Sequence, residues 1–131
     1  MLAPKPIDRI SEVLTSRYPD LAIIYSKFVA DWGGEVDVPW YDLMGSYGLQ
    51  LYGRVDKSTD QELGNMLEVL EKLAQEDQNA KEYVFVGIVE ALVNSMDDAT
   101  IIRLLNNAGP LTTQFLQGYL GFTDGNAPSV G

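Results

Sequence analysis

Apolar residues in this chain return at intervals of three and four, which restricts it to helices that bury one stripe each. The clearest run is Leu63, Met66, Leu67, Leu70, Leu73 and Ala74. Thr59 stands before it and Glu62 three residues later, the reciprocal arrangement of a capping box. Ile7, Ile10, Val13 and Leu14 form an earlier stripe, opened by Pro6 and closed before Pro19. Leu21, Ile24, Tyr25, Phe28 and Trp32 form the next, stopped by Gly33-Gly34. Val84, Phe85, Ile88, Val89, Leu92 and Val93 are nearly continuous, so this helix is expected to be covered on more than one side. Ile101, Ile102, Leu104 and Leu105 follow Asp97 and Asp98, either of which can cap. Gly109-Pro110 separates them from Leu111, Phe115, Leu116, Tyr119 and Leu120. There glycine suits a left-handed helix end and proline the first turn of the next helix.

Residues 40–55 are less determined. Leu43, Tyr47 and Leu51 are spaced as in a helix, yet Gly45, Gly48 and Gly53 each weaken one by about 1 kcal/mol relative to alanine. Leu49 to Tyr52 also alternate as a strand would, but no partner strand is evident, so a helix is expected. The resulting architecture is all-α: a single compact domain of six to seven short amphipathic helices over residues 1–122, with 123–131 as a flexible C-terminal tail.

Charge and composition narrow the chemistry. Nineteen acidic residues oppose nine basic ones, a formal net charge of −10, with no histidine and no cysteine. Such a field repels phosphate backbones and anionic membranes and attracts cations, so neither nucleic acid nor membrane is an expected partner. Thiol nucleophiles, disulfides and thiolate metal sites are excluded, and neither a cofactor nor a bound metal is expected. No apolar run resembles a signal peptide or approaches membrane-spanning length, so a cytoplasmic location is expected. A general base has to be a carboxylate, lysine or tyrosine. Glu68 and Glu71 lie one turn apart, as do Asp31 and Glu35, but both pairs are expected on solvated helix faces. Glu90, inside the most apolar helix, is expected to mark its one exposed edge. Gly45-Ser-Tyr-Gly48 lacks the lysine and spacing of a phosphate-binding loop, and no nucleophile elbow is present. A non-enzymatic, binding role is therefore expected.

The candidate binding segment lies between Lys27 and Arg54, which bracket a stretch without any basic residue. It carries Asp31, Glu35, Asp37 and Asp42 among Trp32, Trp40, Tyr41, Tyr47 and Tyr52. Aromatics supply large contact area at low entropic cost, and carboxylates steer a basic partner. Trp32 is in phase with Phe28 and Tyr25 and is expected in the core, whereas at least one of Trp40 and Tyr41 should be exposed. Glu76, Asp77 and Glu82 form a second acidic group, expected to be a solvated turn.

Four segments carry a resemblance: Tyr18-Pro-Asp-Leu21, Trp40-Tyr-Asp-Leu-Met44, Val86-Gly-Ile-Val-Glu-Ala-Leu92 and Asn107-Ala-Gly-Pro-Leu-Thr112. Over residues 18–120 the chain resembles the small acidic all-helical immunity proteins of bacterial polymorphic toxin and contact-dependent growth inhibition systems. The resemblance implies a protein that binds the C-terminal domain of a cognate toxin, often a basic nuclease, and blocks it. Trp40-Tyr41-Asp42 is also similar in chemistry, though not in fold, to the aromatic-plus-carboxylate anchors of nuclease-colicin immunity proteins. On this reading Trp40, Tyr41 and Tyr47 are the anchors, and Asp31, Glu35, Asp37 and Asp42 steer association. A helical adaptor that self-associates through the same aromatics is the alternative.

Overall fold

The computed structural model describes residues 3–121, so the tail expected at 123–131 lies outside the described residues. Seven helices follow one another: α1 (Lys5–Arg17), α2 (Pro19–Trp32), α3 (Trp40–Val55), α4 (Asp60–Ala74), α5 (78–93), α6 (Asp98–Asn106) and α7 (Pro110–Tyr119). No strand occurs among the described residues, and the fold is all-α. The local signals explain most boundaries. Proline occupies the first turn of α1, α2 and α7, where its missing N–H costs nothing. Gly34 takes the left-handed conformation (φ 90°) that ends α2. Thr59 and Glu62 close the reciprocal capping box of α4, and Asp97 accepts from the Thr100 amide at 2.8 Å to cap α6.

The helix α5 is the centre of the molecule. It runs without a break through Gln78–Glu82, a π-helical segment Tyr83–Val89, and Glu90–Val93. Its large buried side chains come in pairs four apart: Val84 and Phe85, Ile88 and Val89, Leu92 and Val93. A repeat of four lies between the 3.6 of the α-helix and the wider i→i+5 turn, which is how the π segment keeps these pairs facing one core.

The most extensive pairing is that of α3 with α5, and α1, α2 and α4 close the core around them. Two glycines bring α3 and α5 together. A Cβ on Gly48 would lie 2.3 Å from the Ile88 carbonyl oxygen, and one on Gly87 2.4 Å from Met44 Cβ. Gly45 and Gly53, in contrast, face open space.

Tyr47 is sealed in this core at 0% exposure, with its hydroxyl donating to Ser11 Oγ at 2.9 Å. Burial, against the opposing effect of that hydrogen bond, pushes its pKa from 10.0 up to about 12. A raised folded-state pKa means that this group's contribution is fully present below pH 10 and lost as pH rises toward 12. At pH 11.5 the loss should reach about 2 kcal/mol. Tyr47→Phe is therefore expected to be less stable than the parent by about 1 kcal/mol at pH 8, because Ser11 loses its partner. Urea unfolding should show that gap closing or reversing by pH 11.5; an equal gap at both pH values would contradict this account.

Candidate functional site

The structure separates the seven residues expected to bind. Asp31 ends α2 and pairs with Lys27 at 3.0 Å, so its charge is partly spoken for. Glu35 and Asp37 are exposed in the turn between α2 and α3, on either side of Val36, which is 94% exposed. Asp42 is exposed in the first turn of α3, where it complements the helix dipole. Among the described residues, no cation pairs with Glu35, Asp37 or Asp42. Trp40 is half-buried, its ring 5.6 Å from that of Phe28. Tyr41 is exposed, as one of the two adjacent aromatics had to be. Tyr47 cannot serve as an anchor: it shares a stripe with Leu43 and Leu51 and faces the core with them.

Tyr41 instead meets a surface on α5 that periodicity did not single out. Its ring lies 5.0 Å from Tyr83, inclined at 39°. Burial and the nearby Glu82 carboxylate both raise its pKa. Val86 is exposed on α5, and Leu49, two turns along α3 from Tyr41, is exposed as well. Tyr41, Leu49 and Val86 thus leave apolar area uncovered, Tyr41 beside the Glu82 carboxylate. Glu90 is neither fully buried nor a free edge: it is half-buried, and burial raises its pKa. Glu76, Asp77 and Glu82 do not form a joint patch. Glu76 pairs with Arg9 at 3.2 Å, Asp77 caps α5 through the Ala80 amide at 2.7 Å, and Glu82 sits beside Tyr41.

The pair Glu68 and Glu71 is not a solvated face. Glu68 is exposed and bound to Lys72 at 2.9 Å, but Glu71 is buried at 5% exposure. Its carboxylate accepts from the Leu111 amide at 2.8 Å, the Thr112 amide at 2.9 Å and Thr112 Oγ1 at 2.7 Å. Burial pulls its pKa up, but these hydrogen bonds outweigh it and hold the group below the ordinary value. Glu71 thus caps α7 from α4, its carboxylate engaged by three donors inside the fold. Gly109 is not left-handed as expected; its φ is −77°. It is glycine because a Cβ would lie 2.8 Å from Glu71 Cδ.

Arg9, Arg17 and Lys72 line a groove of about 280 Å³ between α1 and α4, together with Glu76 and Glu68, which pair with Arg9 and Lys72. Among the described residues, no group of three or more carboxylates converges to hold a metal ion. No helix of the described residues is long and apolar enough to cross a membrane. Comparison with protein-family models, with curated proteins and with solved structures finds no match to this chain.

Proposed function

We propose that the chain is an immunity protein that binds the C-terminal domain of a cognate bacterial toxin, a basic nuclease in the leading case, and neutralises it without catalysis. The observation that carries this is the set of unpaired carboxylates, Glu35 and Asp37 in the turn before α3 and Asp42 in its first turn, which the exposed Tyr41 shares, in a chain of charge −10. Carboxylates without internal partners keep their field for an incoming cation, and an exposed tyrosine fixes the complex once formed. Blocking of the toxin follows from occupancy of its basic surface.

Calorimetry against the C-terminal domain of the protein encoded immediately upstream, at low and high salt, tests this. A one-to-one complex of nanomolar affinity that weakens at high salt by about tenfold or more is expected. Absence of binding at either salt would remove the toxin partner, and sedimentation would then ask whether the chain associates with itself. Within the complex, Asp37→Asn with Asp42→Asn should slow association by roughly tenfold and flatten its salt dependence. Tyr41→Ala should speed dissociation by roughly tenfold or more with little change in association. Unchanged rates in both variants would dismiss this surface.

A further inference from the structure

On α5, Glu82, Val86 and Glu90 recur every four residues, Glu82 and Val86 exposed and Glu90 half-buried, while Gly87 is buried against α3. The same repeat of four that aligns the buried pairs therefore aligns these three in a row along the helix. Successive members stand about 6 Å apart at α-helical rise, and less within the π segment. Tyr41 and Tyr83 flank the row: Tyr41 lies close to Glu82, and a Cβ on Gly87 would be 3.6 Å from its ring. Among the described residues, neither Glu82 nor Glu90 has an ion-pair partner. Lys81 is the one cation in the α5 sequence, and three of the remaining eight line the groove between α1 and α4. An aromatic pair, an apolar side chain and two uncompensated carboxylates thus share one strip of surface.

We propose that this strip is an arginine-binding platform for a basic segment of a protein partner. One guanidinium lies on the Tyr41 ring and pairs with Glu82, a second pairs with Glu90, and an apolar side chain between them covers Val86. Arginine suits the strip better than lysine for two reasons. Its planar, weakly hydrated cation stacks on an aromatic face while bonding a carboxylate in the same plane. Glu90 is already half-desolvated, so a cation that surrenders water easily loses less on reaching it. A partner helix with two arginines seven residues apart spans about 10 Å, comparable to the backbone rise from Glu82 to Glu90, which is about 12 Å at α-helical rise and less through the π segment. The assignment presupposes the basic partner proposed above and names its chemistry.

The test is nitrogen-15 NMR titration of the whole chain with a blocked helical peptide carrying two arginines seven residues apart around a leucine. An otherwise identical peptide with two lysines is titrated alongside. Saturable shifts confined to Tyr41, Tyr83, Val86 and Glu90 are expected, with the lysine peptide at least fivefold weaker. Glu82→Gln with Glu90→Gln, near-isosteric changes at one exposed and one half-buried position, should weaken the arginine peptide at least tenfold. Tyr83→Leu should reduce the preference for arginine over lysine. Shifts centred on residues 31–37, equal affinity for both peptides, or an unaffected double variant would each overturn the platform. An upstream toxin domain whose nanomolar binding ignores Glu82→Gln with Glu90→Gln would also overturn it while leaving the immunity function standing. Peptide binding at the strip without any toxin binding would do the reverse.

Discussion

Replacing Glu71 by alanine is expected to destabilise the chain by about 3 kcal/mol, and to lower the thermal midpoint by about 10 °C. Three donors converge on this carboxylate, two of them amides of the first turn of α7. The N-cap residue Gly109 has no side chain to serve them. Removing the acceptor leaves a buried threonine and two amides without a partner, and withdraws a negative charge from a helix N-terminus. Glu71→Gln keeps the shape but turns an amide N–H toward donors, so about 2 kcal/mol is expected. The pH dependence separates charge from shape. Because the folded-state pKa lies below 4.5, the contribution of ionised Glu71 is present above that value and lost as pH falls through the depressed one. The gap between parent and Glu71→Gln should narrow on acidification below pH 4.5 in urea titrations; a gap independent of pH would assign the effect to packing alone. Gly109→Ala should cost about 2 kcal/mol by pushing the carboxylate aside. Its cost should largely vanish in the Glu71→Ala background, a coupling readable by a double-mutant cycle.

Gly48→Ala is expected to be as damaging, by about 3 kcal/mol, although it adds a single methyl group to a helix. That methyl would stand 2.3 Å from the Ile88 carbonyl oxygen and 2.9 Å from Ala91 Cβ. The nearest of these atoms is backbone, so α3 itself has to move away from α5, opening the largest internal contact of the fold. Gly53→Ala in the same helix meets nothing within 4 Å. It should stabilise by about 0.5–1 kcal/mol through helix propensity and a less disordered unfolded chain. Chemical denaturation of the two variants should give opposite signs, and a shared sign would refute the packing role of Gly48.

Spacing and caps carried most of the architecture. The stripes of α1, α2, α4 and α7, the capping box at Thr59 and the Asp97 cap are local events, set by residues a few positions apart. The helix at 40–55 forms despite three glycines because Gly48 is at a close crossing and Gly45 and Gly53 face outward. The burial of Tyr47 was legible in principle: its phase with Leu43 and Leu51 outweighs its presence in an acidic stretch. The role of Glu71 was not, because its partners lie 40 and 41 positions along the chain. A glycine N-cap followed by Pro110 leaves α7 needing an acceptor from elsewhere, but the sequence does not say which. The strip on α5 was hidden for another reason. In the sequence its repeat of four reads as continuous apolarity, and only the π segment shows that Glu82 and Val86 stay exposed. Of the expected anchors, Tyr41 stays on the surface, Trp40 is half-buried and Tyr47 is internal.

Helix ends closed from afar also govern how the molecule comes apart. The Arg103 guanidinium, carried by α6, donates to the Val55 carbonyl at 2.8 Å, the Ser58 carbonyl at 2.5 Å and Asp60 Oδ1 at 2.8 Å. It thereby ties the end of α3 to the start of α4, just as Glu71 of α4 holds the start of α7. The last two helices and the middle of the chain each terminate the other. A fragment ending after α5 would lose the clasp on the α3–α4 turn, and the C-terminal helices would lose their cap, so neither piece is a self-sufficient folding unit. Loss of native structure should therefore be all-or-none, with no protease-resistant half surviving a cut between α5 and α6.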